Sequence, residues 1–262
     1  MKIKEIIAAL ERFAPLPLQD GFDNAGLQVG LTEAEATGAL LCLDVTEAVI
    51  DEAITLGYNL VVSHHPLIFK GFKSITGKDY VERCIMKAIC HDIVIYSAHT
   101  NLDNADGGVN FKMAEKIGLK NVQVLEPKET ADDVVAGAGV IGELDEQETE
   151  TEFLKRIKKL FEVGCVKHNR MNGRLIRKVA LCGGSGAFLL PRAVACNADV
   201  FITGEVKYHD YFYYDNRILV AEIGHYESEQ YTKEIFYSII REMFPSLDVQ
   251  MTRVNTNPIK YM

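Results

Sequence analysis

No apolar run in the 262-residue chain approaches the roughly eighteen residues of a membrane-spanning helix, so its hydrophobic stretches are strand-length. The opening residues, Met1-Lys2-Ile3-Lys4-Glu5, lack a signal-peptide pattern, and a cytoplasmic protein without a membrane partner is expected. The six cysteines (Cys42, Cys84, Cys90, Cys165, Cys182, Cys196) contain no C-x-x-C pair. That argues against a disulfide framework and against cysteine-ligated zinc, leaving them as reduced, mostly buried small hydrophobes. Positive charge is scarce too: 28 Lys and Arg face 37 Asp and Glu, for a net charge of -9. A nucleic-acid partner would need a local basic patch, and the Lys155 to Lys159 cluster reads instead as a solvated helix face. What is present, 48% hydrophobic and 25% charged residues, suits a soluble globular chain with one large core or two lobes.

The chain is organised around Asn59-Leu60-Val61-Val62-Ser63-His64-His65-Pro66. An apolar, β-prone run bounded by a turn signal reads as a buried strand, and Pro66, lacking an N–H, forbids its continuation. His64 and His65 therefore stand at the strand's C-terminal end, the edge where open α/β sheets bind ligands. Paired imidazoles there point to a metal.

From the N-terminus, Ile3, Ile6, Ile7 and Leu10 predict an amphipathic helix stopped by Pro15 and Pro17. The loop from Asp20 to Gly30 reads as a turn and a short strand, with Asp23 available to a site. Strand 39–43, helix 46–56 with Asp44 or Thr46 as N-cap, strand 58–63, helix 79–89 and strand 93–97 then alternate, which predicts βαβ units and a largely parallel sheet. That last strand also ends in polar residues, His99 to Asp103, ahead of a helix over 109–117. The stretch 122–152, with turn residues and an acidic run from Glu143 to Glu152, reads as the boundary of a second lobe with a strand over 134–141. Helix 151–161, strands near Cys165 and over 176–182, a helical stretch containing Pro191 and strand 199–203 follow. The expected architecture is two similar, interlinked α/β lobes with mainly parallel sheets: 1–125 carrying His64, His65 and Asp103, and 126–262, whose His225/Glu229 helix could pack back on the first lobe.

An internal comparison supports two related lobes. Shifted by 140 positions, Leu41-Cys42 falls on Leu181-Cys182, Ala53 on Ala193, and Val61-Val62-Ser63 on Phe201-Ile202-Thr203, without a gap. In this frame His64-His65 falls on Gly204-Glu205. A third chemical cluster lies at Glu222 to Glu229, where a helix beginning near His225 sets His225 and Glu229 four residues apart on one face. Imidazole with carboxylate suits Zn, Mn, Fe, Co or Ni better than a hard, oxygen-only cage. Each cluster alone has an ordinary explanation as surface or hydrogen-bonded polarity. Together His64, His65, Asp103, His225 and Glu229 all fall at predicted strand ends, where this fold class gathers its site. The glycine loop 183–186 follows a strand and opens a helix, so it either packs the turn tightly or cradles phosphate; with no Walker ending, packing is the default.

These residues resemble the Nif-three-like dinuclear metal-centre family, also named GTP cyclohydrolase 1 type 2 homologues. The resemblance rests on Asp23-Asn24-Ala25-Gly26-Leu27-Gln28-Val29-Gly30, Ser63-His64-His65-Pro66, His99-Thr100-Asn101-Leu102-Asp103, Thr203-Gly204-Glu205 and Gly224-His225-Tyr226-Glu227-Ser228-Glu229. It implies two divalent ions per chain on His64, His65, Asp103, His225 and Glu229 and a homohexameric ring; the short spacing between the helices near Ile117 and Thr151 departs from the longer members, which carry a central inserted domain. Five donors leave both ions short of a full shell, so water completes them, and hydrolysis is the reaction class. Glu205, His99 and His209 are then candidates for proton transfer or for orienting ligands, and Lys207 and Tyr208 for substrate contact. Two functions follow: a hydrolase for a nucleotide or phosphorylated small molecule, with GTP ring opening implied by the family name, or a non-enzymatic metal-binding or regulatory scaffold.

Overall fold

The computed structural model describes residues 1–128 and 135–262. Within them the chain forms two compact units, Met1–Leu102 with Thr232–Pro258, and Asp103–Tyr231 with Ile259–Met262. In order, the elements are α1 (Ile3–Phe13), β1 (Gly26–Val29), β2 (Ala39–Cys42), α2 (Glu47–Leu56), β3 (Leu60–Ser63), α3 (Tyr80–Cys90), β4 (Val94–Ser97) and α4 (Thr100–Asp103). Next come α5 (Val109–Ile117), β5 (Lys120–Pro127), β6 (Gly137–Thr149), α6 (Glu150–Leu160), β7 (Lys167–His168), β8 (Leu175–Cys182) and α7 (Leu190–Ala195). The chain closes with β9 (Val200–Thr203), α8 (Tyr208–Tyr213), β10 (Leu219–Glu222), α9 (His225–Glu229), α10 (Thr232–Met243) and β11 (Val249–Met251).

The first unit is built on a five-stranded sheet in the order β1-β4-β3-β2-β11. All neighbours are parallel except β1, which runs antiparallel to β4. Strands β2, β3 and β4 are buried along their whole length, which is why they read as unbroken apolar runs rather than alternations. Local signals set the helix between them: Thr46 Oγ1 accepts the Val49 N–H, and Gly57, at φ 72°, ends α2 in the left-handed region. Helix α1 buries Ile3, Ile6, Ile7 and Leu10, the predicted stripe.

The second unit carries a six-stranded mixed sheet, β5-β6-β8-β9-β10-β7. Only β8, β9 and β10 are mutually parallel, so the expectation of parallel sheets holds for the first unit and for the centre of the second. Alternate residues of β9 serve opposite faces: Val200 and Ile202 pack with Phe153, Ile157 and Phe161, while Phe201 packs with Leu189, Leu190 and Ala193. Each such fully buried side chain contributes roughly 1.5–3 kcal/mol.

The 140-residue offset reappears as strand register. Ala39 pairs with Leu60 and Cys42 with Ser63 in the first unit; Val179 pairs with Val200 and Cys182 with Thr203 in the second. Each unit therefore contains the same parallel β-α-β core, extended by one further parallel strand, β4 or β10.

Two boundaries differ from the sequence reading. The units divide at 102/103, 231/232 and 258/259 rather than once at 125/126. Met113, Ala114 and Ile117 of α5 belong to the second unit's core, and β11 completes the first unit's sheet beside β2. The helix bearing His225 and Glu229 is part of the second unit, as expected, and α10 is part of the first. The acidic run expected as a boundary is largely β6, held by pairing with β5 and β8 on either side. The start of its predicted strand, Val134, lies outside the described residues.

Candidate metal centre

In the first unit, ladder geometry continues past β3. The His64 N–H donates to Cys42 O (3.3 Å) and the His65 N–H to Leu43 O (2.9 Å), which fixes both histidines at the strand end. Ser63 and Ser97 share a hydroxyl hydrogen bond of 2.7 Å between β3 and β4. His64 is fully buried, and its Nδ1 lies 2.8 Å from Ala98 O. A carbonyl only accepts, so the proton sits on Nδ1 and Nε2 is left as the electron-pair donor. His65 Nδ1 lies 2.7 Å from Asp44 Oδ1, and Asp44 Oδ2 accepts the Thr256 hydroxyl at 2.6 Å. His99 Nδ1 lies 2.7 Å from Asp23 Oδ1, while Asp23 Oδ2 accepts both the N–H and the hydroxyl of Thr100. One ring nitrogen from each of His64, His65 and His99 lies within 4.8 Å of the others.

These contacts tune both carboxylates. Burial works to raise the Asp23 carboxyl, but hydrogen bonds from His99 and Thr100 outweigh it and hold the group at about 2. Asp44 is lowered in the same way, the His65 and Thr256 contacts exceeding its burial. Because the folded value of Asp23 is below the roughly 3.9 of an unfolded aspartate, its stabilisation is complete above that pH and lost as pH falls through about 2. Asp23→Asn in the metal-free chain is therefore expected to lower Tm at neutral pH, with the deficit shrinking on acidification. A deficit that stays constant between pH 7 and pH 3 would assign Asp23 a role other than carrying charge.

In the second unit, α9 realises the predicted geometry: His225 Nε2 and Glu229 Oε2 are 3.0 Å apart across one turn. Glu229 is almost entirely buried, and one of its carboxylate oxygens lies within 4.8 Å of one from Asp103, the last residue of α4. His225 Nδ1 is 2.8 Å from Glu205 Oε1, and Glu205 Oε2 accepts the Ser185 hydroxyl at 2.6 Å. The Ser185 bond, with that of His225, holds the Glu205 carboxyl below its ordinary range. Removing such an orienting partner typically costs 10–100-fold in metal affinity, and we expect Glu205→Gln to fall near the lower end of that range in a competition titration.

The glycine loop is committed to packing. The Gly183 N–H donates to Asn110 Oδ1, that of Gly184 to Ser228 Oγ and that of Gly186 to Thr203 Oγ1, all at 2.9–3.0 Å, so these donors are turned inward rather than toward a phosphate. Gly184, at φ +58°, lies so close to the candidate ligands that a Cβ there would come within 2.2 Å of Glu229 Oε1. Beside the Glu205–His225 pair, a cavity of about 560 Å³ is lined by Ser185, Phe188, Glu205, Lys207, Asp210 and Tyr214 among others. His209 and Tyr208 are exposed on α8, where the His209 ring packs against Tyr208 and Phe212.

The structure thus gathers His64 and His65 with His99 in one unit, and Asp103 and His225 with Glu229 in the other. Sequence reasoning missed Asp44 as a histidine partner, since Thr46 rather than Asp44 caps α2. Its signal was available: Asp44 is the first charged residue beyond β2, beside the histidine end of β3. Ser185 and Asn110 gave no comparable signal.

The sequence profile of the family described as Duf34/NIF3 (NGG1p interacting factor 3) matches residues 1–258. A Clostridium perfringens protein named GTP cyclohydrolase 1 type 2 homolog is 38% identical over 230 residues, 87% of each chain. A Lactococcus lactis protein of the same name is 31% identical over 264 residues, 98% of each. The crystal structure of a Staphylococcus aureus hypothetical protein superposes with a TM-score of 0.92 at 31% identity, covering 100% of this chain and 99% of that one.

Proposed function

The chain belongs to the Duf34/NIF3 family, and we propose that it is a metal-dependent hydrolase of a nucleotide or phosphorylated small molecule. In this reading His64, His65, Asp103, His225 and Glu229 bind two divalent cations. The observation that carries it is the way imidazoles of both sets are anchored through Nδ1: His64 on a carbonyl, His65 on Asp44 and His225 on Glu205. Metal-ligating histidines ordinarily carry such a partner, which sets the tautomer and aims Nε2.

The donor set fits the group. Three imidazoles and two carboxylates match Zn, Mn, Fe, Co or Ni. Five protein donors are fewer than the four per ion of closed structural zinc sites, so solvent or substrate has room to bind. When bound, two such ions supply a water of lowered pKa and Lewis-acid polarisation of a carbonyl or phosphoryl oxygen. The protein's part is orientation and proton handling. Glu205 faces the cavity and holds the His225 imidazole with its carboxyl kept ionised, so it orients that ligand and is the candidate for proton transfer on the substrate side. His99 keeps Nε2 as an acceptor because its Nδ1 is held by Asp23. His209 lies next in sequence to the cavity residue Asp210 and stays a candidate for transfer at its rim; Lys207 is a cation for an anionic substrate group. In this reading the chain assembles as a homohexamer, as the resemblance implies, and acts in the cytoplasm, as the N-terminal sequence leads one to expect. Among the described residues, no helix is long and apolar enough to cross a membrane.

The test is turnover of GTP and a panel of phosphomonoesters and phosphodiesters by metal-loaded and chelator-stripped protein. Hydrolysis that appears only with metal is expected. Bound metal with no turnover on any member of the panel would leave a metal-binding scaffold as the function.

A further inference from the structure

The five-ligand reading leaves out the imidazole most like His225 in its setting. His99 follows β4 by two residues; His225 follows β10 by three, and β4 and β10 are the equivalent third parallel strands of the two units. Each has Nδ1 on a carboxylate, Asp23 at 2.7 Å or Glu205 at 2.8 Å. His99 also shares its surroundings with two other imidazoles. Ring centroids of His64 and His99 are 5.3 Å apart and those of His65 and His99 5.6 Å, with one nitrogen from each of the three within 4.8 Å of the others.

All three Nδ1 atoms are engaged by oxygens: Ala98 O, Asp44 Oδ1 and Asp23 Oδ1. For a neutral imidazole this places the proton on Nδ1 and leaves Nε2 to bind a metal. Three rings from adjacent strand ends therefore offer the same atom, and each has the partner that an imidazole ligand ordinarily has. Zn–N bonds of about 2.0–2.1 Å put tetrahedral donors roughly 3.4 Å apart, and one nitrogen from each of the three rings already lies within 4.8 Å of the others.

We propose that the first unit is by itself a three-imidazole cation site, in which His64, His65 and His99 take one Zn²⁺ or Co²⁺ ion and solvent takes the fourth position. This goes beyond the two-ion reading, because it adds His99 as a ligand and needs no residue of the second unit. It also implies an order of loading: the first cation is accepted on imidazoles alone, independently of Glu229.

The experiment uses the full chain with both second-unit ligands removed, His225→Ala with Glu229→Ala, and Co²⁺ as the probe. Equilibrium dialysis is expected to find about one Co²⁺ per chain, with the intense visible absorption of a four-coordinate site. Adding His99→Ala is expected to lower its affinity by more than the 10–100-fold that loss of an outer partner costs, whereas adding Asp23→Asn should stay within that range. A double variant that binds no Co²⁺ although circular dichroism shows it folded, or a triple variant that binds as well as the double, overturns the proposal. Should the double variant fail to fold, X-ray absorption of the wild-type chain at substoichiometric Co²⁺ decides: three imidazoles sustain the site, and a count that His99→Ala leaves unchanged refutes it. Failure of the two-ion reading looks different. There the wild-type chain would bind a single ion and the double variant would keep it.

Discussion

Glu229→Ala is expected to reduce bound divalent metal from about two ions per chain to about one, and to abolish metal-dependent hydrolysis. The side chain is 4% exposed, 3.0 Å from His225 Nε2 and within 4.8 Å of Asp103. A carboxylate offers two donor oxygens, and alanine removes both while leaving every imidazole in place. In the metal-free chain the substitution removes a buried carboxylate close to Asp103 but also its pairing with His225, so the apo Tm serves as the baseline for each variant. The rise in Tm on adding metal should shrink, since a ligand stabilises only in proportion to its occupancy of the native state. Metal analysis together with thermal melts in the presence and absence of Zn²⁺ checks both parts. Unchanged metal content would remove Glu229 from the ligand set.

The second large effect comes from a residue that binds nothing. Gly184→Ala is expected to weaken binding of the ion that depends on Glu229 by more than 100-fold, beyond what loss of an orienting partner costs, although all five proposed ligands remain. At φ +58° an alanine there is strained by about 1–2 kcal/mol, and its Cβ would stand 2.2 Å from Glu229 Oε1 and 3.4 Å from His225 Cε1. Relief requires either the loop or Glu229 to move. The loop is held by the Gly184 N–H on Ser228 Oγ and by the carbonyl of Gly184, which accepts from Gly204, Glu205 and Thr203, so Glu229 is the part that yields. Gly57→Ala is the control: φ is +72°, and nothing lies within 4 Å of the new Cβ. That variant should show the backbone cost as a lower Tm with metal affinity unchanged. If both variants bind metal like the wild type, the close approach at Gly184 has no bearing on the ligands.

Most elements were legible because their signals are local. The stripe Ile3, Ile6, Ile7, Leu10 needs only the 3.6-residue period, and the buried strands β2, β3 and β9 announce themselves as short apolar runs between polar ends. Strands β5 and β11, helix α8 and the acidic second half of β6, which reads as loop, were not legible. Residues Glu143, Glu148 and Thr149 enter the ladder because β8 supplies partners for their backbone, and no local preference records that. The division into units escaped for the same kind of reason: β11 is separated by some 200 residues from the strand it pairs with.

By itself, the sequence determined the two repeated β-α-β cores, the placing of His64 and His65 at a strand end and the one-turn spacing of His225 and Glu229, all of which follow from backbone periodicity and a proline. Only the tertiary structure decided which carboxylate holds which imidazole, since Asp23 reaches His99, Asp44 reaches His65 and Glu205 reaches His225. Those pairings depend on strand order and on loops packed across strand ends. A hydrogen bond at 2.7–2.8 Å is set by position in space, and separation along the chain carries almost no information about it.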